Sequence, residues 1–108
     1  MPMQTHYAEQ EPSRADVDAL PGAVLVEFGA PWCPHCQAIQ PQLAGLLKRF
    51  PQVHHIKVED GRGKPLGRSF RVKLWPNLVF MKDGQVIQQS VRPAEDEIRR
   101  GIEAIASK

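Results

Sequence analysis

Apolar residues run almost unbroken from Ala23 to Phe28, and this β-branched stretch predicts a central strand covered on both faces. The spacing then changes. From about Pro34 to Phe50, Ile39, Leu43, Leu46, Leu47 and Phe50 recur at steps of three and four, which predicts an amphipathic helix with one wide apolar face. Pro41 lies inside that helix and should kink it, because proline lacks a backbone donor and crowds the preceding turn; Pro51 stops it. Val53 to Val58 reads as a second strand, with Ile56 and Val58 on one face and His54-His55 as strand-end residues. Asp60 to Pro65 reads as a loop, and Leu66 to Phe70 as a short helix. Leu78–Met81 and Val86–Val91 form a hairpin across Asp83-Gly84, where glycine tolerates positive φ. Pro93 opens a last helix, with Glu95, Asp96 and Glu97 in its first turn and Ile98, Ile102 and Ile105 as its buried stripe. Ahead of all this, Ser13 caps a short helix to about Leu20, ended by Pro21-Gly22. Residues 1–12 are polar, carry Pro2 and Pro12, and read as a loose tail before a domain over residues 13–108.

The order is helix, strand, helix, strand, helix, strand, strand, helix, an α/β arrangement with a parallel βαβ half and an antiparallel hairpin half. A chain of 108 residues makes one domain, and an apolar fraction of 42% supplies a core without staples. The net charge of +2 is too small to predict a polyanionic partner. No apolar run reaches the roughly 20 residues of a membrane helix, and the polar start has no signal-peptide core, so the expected location is cytoplasmic.

Chemistry enters with the two cysteines, Cys33 and Cys36. A loop so small cannot staple a fold, so the pair points to redox work or to metal. A structural zinc site needs four ligands, and His6, His35, His54 and His55 supply no second pair at suitable spacing; no cofactor is expected. Cys33 falls where a strand hands over to a helix, a place where free backbone N–H groups stabilise a thiolate, the nucleophile of disulfide exchange. Cys36 follows nearly one turn later, more buried, ready to resolve a mixed disulfide. Pro34 suits the first helical turn, and a charged His35 beside the thiolate favours the reduced form, which makes the disulfide more oxidising. Glu27 is the sole charge in the central strand; desolvation is expected to raise its pKa so that it takes and returns the Cys36 proton.

The segment Val24 to Cys36, with its Trp32-Cys33-Pro34-His35-Cys36 core and Pro41 five residues on, resembles the active-site segment of the thioredoxin family. Phe70 to Phe80, followed by Lys82-Asp83-Gly84, resembles the segment holding that family's cis-proline, and the likeness runs from about Leu20 to Ala106. It implies a thioredoxin fold: a central mixed sheet of four to five strands with helices on both faces. It also implies roles. Cys33 would attack, Cys36 resolve, Glu27 relay a proton with Lys57 as its partner, and Pro76 face the pair. Trp32, Pro34, His35, Trp75, Pro76 and Arg92 would form the substrate surface, with Trp32 shielding the site.

The pattern also departs from the family. Pro34-His35 replaces Gly-Pro and resembles the dipeptide of periplasmic disulfide-forming oxidants, whose helical insertion this chain is too short to hold. Trp75 stands where a smaller residue is usual, Arg92 where a glycine is usual, and Glu27 where aspartate is usual. The expected activity is protein thiol–disulfide exchange by a monomer, as a reductase with a more oxidising pair than usual. Electrons would come from a thioredoxin reductase or from glutathione; no nucleic acid or membrane partner is expected. A glutathione-coupled, glutaredoxin-like enzyme and a redox-sensitive binding module are the rival readings. Arg62, Lys64, Arg68, Arg71 and Lys73 crowd one segment, read as a solvated face, with a docking surface for acidic partners as the sharper alternative.

Overall fold

The computed structural model describes residues 3–107. Met1, Pro2 and Lys108, which belong to the expected tail and to the end of the domain, lie outside the described residues. The chain forms α1 (Arg14–Asp18), β1 (Ala23–Gly29), α2 (Pro34–Ala38), α3 (Gln40–Arg49), β2 (His54–Glu59), α4 (Pro65–Ser69), β3 (Asn77–Lys82), β4 (Gln85–Val91) and α5 (Glu95–Ala106).

Among the described residues the sheet has four strands in the order β2-β1-β3-β4. β1 pairs in parallel with β2 and antiparallel with β3, and β3 pairs antiparallel with β4, so the sheet is mixed. Strand side chains alternate between faces, and β1 uses both. Val24, Val26 and Phe28 pack with Val17 of α1 and with Leu66 and Phe70 around α4. Leu25 turns the other way and packs with Leu43, Leu46 and Leu47 of α3 and Ile98, Ile102 and Ile105 of α5. The run from Val24 to Gly29 is buried throughout, which is why it reads as a continuous apolar strand.

The helix expected over 34–50 is two helices. Ile39 ends α2 and begins α3, which has proline in its first turn. Pro41 has no N–H to continue the ladder, so the chain breaks just before it instead of bending through it. The last helix starts at Glu95, with Ala94 as its N-cap, two residues beyond Pro93. Asp83 and Gly84 both have positive φ, 49° and 80°, as a tight two-residue hairpin demands. That turn is tied back to the start of β1: Gly22 N–H donates to Asp83 Oδ1 at 2.7 Å, and Asp83 N–H to the Gly22 carbonyl at 3.0 Å.

The stretch before α1 is held at several points. Ala8 N–H donates to the Lys57 carbonyl at 2.8 Å, Gln4 N–H to His55 Nδ1 at 2.9 Å, and Glu11 Oε1 accepts from the Leu66 N–H at 2.6 Å. These bonds lay residues 4–8 along β2, the edge strand, and give α4 a side-chain partner at its N-terminus. Among the described residues no helix is long and apolar enough to cross a membrane.

Candidate active site

Cys33 caps the first turn of α2: the Cys36 N–H donates to Cys33 Sγ at 3.2 Å. The Cys36 thiol also donates to Cys33 Sγ. Both cysteines are unbridged and buried, yet their surroundings differ. Burial, then the hydrogen bond with Cys33, pushes the Cys36 thiol up to about 12. Cys33 therefore receives two donors on its sulfur, while Cys36 keeps its proton.

Gly29 makes room for this arrangement. A Cβ at position 29 would sit 2.6 Å from Cys36 Sγ and 3.1 Å from the Tyr7 hydroxyl. Tyr7, from the stretch before α1, thus lies close to Cys36, and the Lys57 ammonium lies 4.8 Å from its ring centroid. Burial first, then the neighbouring Cys36 and Glu27, holds the Tyr7 phenol above its ordinary range.

Glu27 has no exposed surface. Its Oε1 lies 2.8 Å from His55 Nε2, its Oε2 accepts from Gln40 Nε2 at 2.8 Å, and Lys57 Nζ is 3.7 Å from Oε2. Lys57 itself donates to Gln40 Oε1 at 2.8 Å, and Gln40 Nε2 also donates to the Cys36 carbonyl at 2.8 Å. Gln40 therefore joins the acid, the lysine and the backbone of Cys36. A cavity of about 250 Å³ lies alongside, lined in part by Tyr7, Cys36, Gln40 and Lys57, with room and polar partners for water.

The expected rise in the Glu27 pKa is reversed. Burial is the largest influence and pushes it up, but the hydrogen bond from His55, the Lys57 charge and the Gln40 amide outweigh burial and hold the carboxyl below its ordinary range. Glu27 is thus a carboxylate at neutral pH. Its charge, in turn, helps keep the proton on Cys36.

His55 and Gln40 are the residues that sequence reasoning missed. His55, expected as a strand-end residue, is buried at the heart of the site. One signal was available: β1 and β2 pair Glu27 with Lys57, and His55 stands two residues before Lys57, hence on the same face.

The Trp75–Pro76 peptide bond is cis. Trp75 packs against the Ala30, Cys33 and Cys36 cluster, and Trp32, 68% exposed, meets its ring edge-on with centroids 5.4 Å apart. Arg92 has φ 47°, a left-handed conformation that glycine adopts at least cost, and its Nε donates to the Trp75 carbonyl at 2.8 Å. His35, Pro76 and Arg92 line a shallow hollow of about 110 Å³, and Pro34 is exposed in the first turn of α2. Among the described residues no group of three or more His, Cys, Asp or Glu is placed to hold a metal ion.

Comparison with known proteins agrees with this geometry. Residues 4–104 match the family model described as Thioredoxin. The chain is 36% identical over 75 residues to "Thioredoxin H5" of Arabidopsis thaliana, covering 69% of this chain and 64% of that protein. It is 31% identical over 84 residues to a "Thioredoxin H-type" of Picea mariana, covering 78% and 67%. The chain thus spans about two thirds of the length of these plant relatives. Among solved structures, thioredoxin 2 from Pseudomonas aeruginosa PAO1 in its reduced form superposes with a TM-score of 0.83 at 48% identity, over 96% of this chain and 97% of that one. The glutaredoxin-like and binding-module readings are not favoured by these matches.

Proposed function

The chain belongs to the thioredoxin family, and on that footing we propose that it is a protein thiol–disulfide oxidoreductase working through Cys33 and Cys36. The observation that carries this reading is the asymmetry of the pair. Cys33 Sγ accepts from the Cys36 backbone and thiol, while the Cys36 thiol is held protonated.

The chemistry follows from that asymmetry. The Cys33 thiolate attacks one sulfur of a substrate disulfide, forming a mixed disulfide and expelling the other substrate sulfur as a thiolate, which takes a proton. Cys33 then no longer carries the charge that opposed ionisation of its neighbour. Cys36 loses its proton and attacks Cys33 Sγ, and the second substrate sulfur leaves. Two electrons and two protons pass to the substrate, and the protein is left as the Cys33–Cys36 disulfide. A thioredoxin reductase or a small thiol such as glutathione returns it to the dithiol.

Glu27 and Lys57 serve this cycle from beneath. As a carboxylate, Glu27 steadies the Cys36 proton while Cys33 is the nucleophile. It is also free of a proton of its own, so it can accept one, directly or through water in the adjoining cavity, when Cys36 must ionise. Lys57 and Gln40 keep the carboxylate in place. Trp32, Trp75, cis-Pro76, Pro34, His35 and Arg92 form the surface a substrate segment crosses, and the Pro34-His35 dipeptide sets a more oxidising poise than Gly-Pro would. The proposal includes action as a monomer and a cytoplasmic setting, which cell fractionation tests.

The direct test is trapping. With Cys36→Ser, incubation with a protein disulfide should accumulate a mixed disulfide at Cys33, visible by mass spectrometry and released by dithiothreitol. With Cys33→Ser, neither trapping nor turnover should occur. Turnover that survives Cys33→Ser contradicts the assignment.

A further inference from the structure

Beside Trp75, the chain after β2 forms a groove of about 500 Å³ lined by Lys64, Arg68, Arg71, Lys73, Asp60 and Trp75, among others. Four of these side chains are cations, all exposed. Among the described residues, none of the four enters an ion pair. The single carboxylate of the lining is engaged inward: Asp60 Oδ2 accepts from the Trp75 indole at 3.0 Å, and Oδ1 is pressed so close to Gly67 that a Cβ there would meet it at 2.1 Å. The groove therefore presents an excess of positive charge that the fold does not neutralise.

The backbone supports the same reading. Arg71 has φ 59°, and it ends α4 as a left-handed residue, with the Val72 N–H reaching the Gly67 carbonyl at 2.9 Å and the Arg71 N–H the Arg68 carbonyl at 3.0 Å. This is the place in a Schellman cap where glycine fits without strain. An arginine there puts a long cation at the groove instead.

We propose that this groove receives acidic segments of the substrate polypeptide, so that the preferred protein disulfides carry aspartate or glutamate within a few residues of the attacked cysteine. The proposal rests on the thiol–disulfide reading and names its substrate class. The link is Trp75, which forms a wall of the groove and also packs on the Ala30, Cys33 and Cys36 cluster. An extended chain advances about 3.4 Å per residue, so a segment crossing Trp75 from the dithiol enters the groove after a few residues. The exposed Trp32 and Leu74 supply apolar contact nearby, and the cations supply attraction and orientation. His35, Pro76 and Arg92 line a separate hollow and add no negative charge.

The experiment uses the reduced full chain and three synthetic disulfide peptides, identical except for two Glu, two Gln or two Lys placed two to four residues from the cysteine. At about 50 mM salt the Glu peptide should react on the order of tenfold faster than the Gln peptide, and the Lys peptide slower, since steering of this kind raises association rates tenfold or more. At about 500 mM salt, where the screening length shrinks to a few ångströms, the three rates should converge. The double variant Arg68→Glu, Lys73→Glu should reverse the order while reacting with an uncharged small disulfide at the original rate. Equal rates for the three peptides at low salt, or an order that the double variant leaves unchanged, would overturn the groove assignment. Failure to react with any disulfide would instead remove the oxidoreductase reading beneath it.

Discussion

Glu27 Oε1 and His55 Nε2 lie 2.8 Å apart with neither side chain exposed, and the second ring nitrogen of His55 accepts the Gln4 N–H at 2.9 Å. Because Nδ1 is an acceptor, the ring proton is on Nε2 and points at the carboxylate. A residue from the start of the chain thus fixes the tautomer that keeps the buried acid charged.

Replacing His55 tests this directly. His55→Leu leaves Glu27 buried with fewer donors, and removing one partner of a buried pair costs about 3 kcal/mol, the low end because Lys57 and Gln40 remain. The pH dependence carries the sign. In the native protein the Glu27 pKa lies below its unfolded value, so its contribution is present above about 4.3 and is lost as pH falls through the folded value. In His55→Leu, burial is less opposed and the pKa moves up, so the deficit should be largest near neutrality and narrow toward pH 5. His55→Gln, which keeps an amide donor, should lie between the two. Urea unfolding of the reduced proteins at several pH values measures it; a deficit independent of pH would contradict the account.

The two thiols should separate cleanly in their reactivity. At neutral pH iodoacetamide should modify one cysteine, Cys33, and peptide mapping should find Cys36 unmodified, because its proton is held to about 12. Modification of Cys36 ahead of Cys33 would reverse the assigned roles.

The hairpin offers a stability test away from the chemistry. Gly84 has φ 80°, and a Cβ there would come within 2.4 Å of the Asp18 carbonyl oxygen. Gly84→Ala should lower stability by about 2 kcal/mol or more, combining the left-handed penalty with a backbone clash. Thermal unfolding of the reduced proteins measures it, with a loss of roughly 4–8 °C per kcal/mol expected for a domain of this size. A variant as stable as the native chain would contradict the close approach of the turn to α1.

What could be read from sequence was what local pattern encodes. Val24 to Phe28 announced a doubly covered strand, Asp83-Gly84 its turn, and Ile98, Ile102 and Ile105 the buried stripe of α5. Cys33 and Cys36 were legible because their chemistry depends on a strand-to-helix junction that the same pattern locates. Other features depend on contacts between distant segments. His55 looks like the end of a strand until β2 is laid beside β1, when its parity with Lys57 turns it toward Glu27. The direction of the Glu27 shift is a sum over donors from α3 and β2, and burial alone points the wrong way. Residues 4–11 have no apolar period of their own; they are ordered by bonds to Lys57, His55 and Leu66. Pro41 announced a disturbance, but whether a helix kinks or breaks depends on packing beyond its own sequence.

The most direct test of the central claim is the reduction potential of the Cys33–Cys36 pair, measured by equilibration with glutathione buffers and read from the fluorescence of Trp32 and Trp75, which meet at the site. The account predicts a single reversible two-electron transition at a potential less negative than the thioredoxin value of about −270 mV. A transition at or below that value would contradict the oxidising effect assigned to Pro34-His35, and no reversible transition at all would contradict thiol–disulfide exchange as the activity.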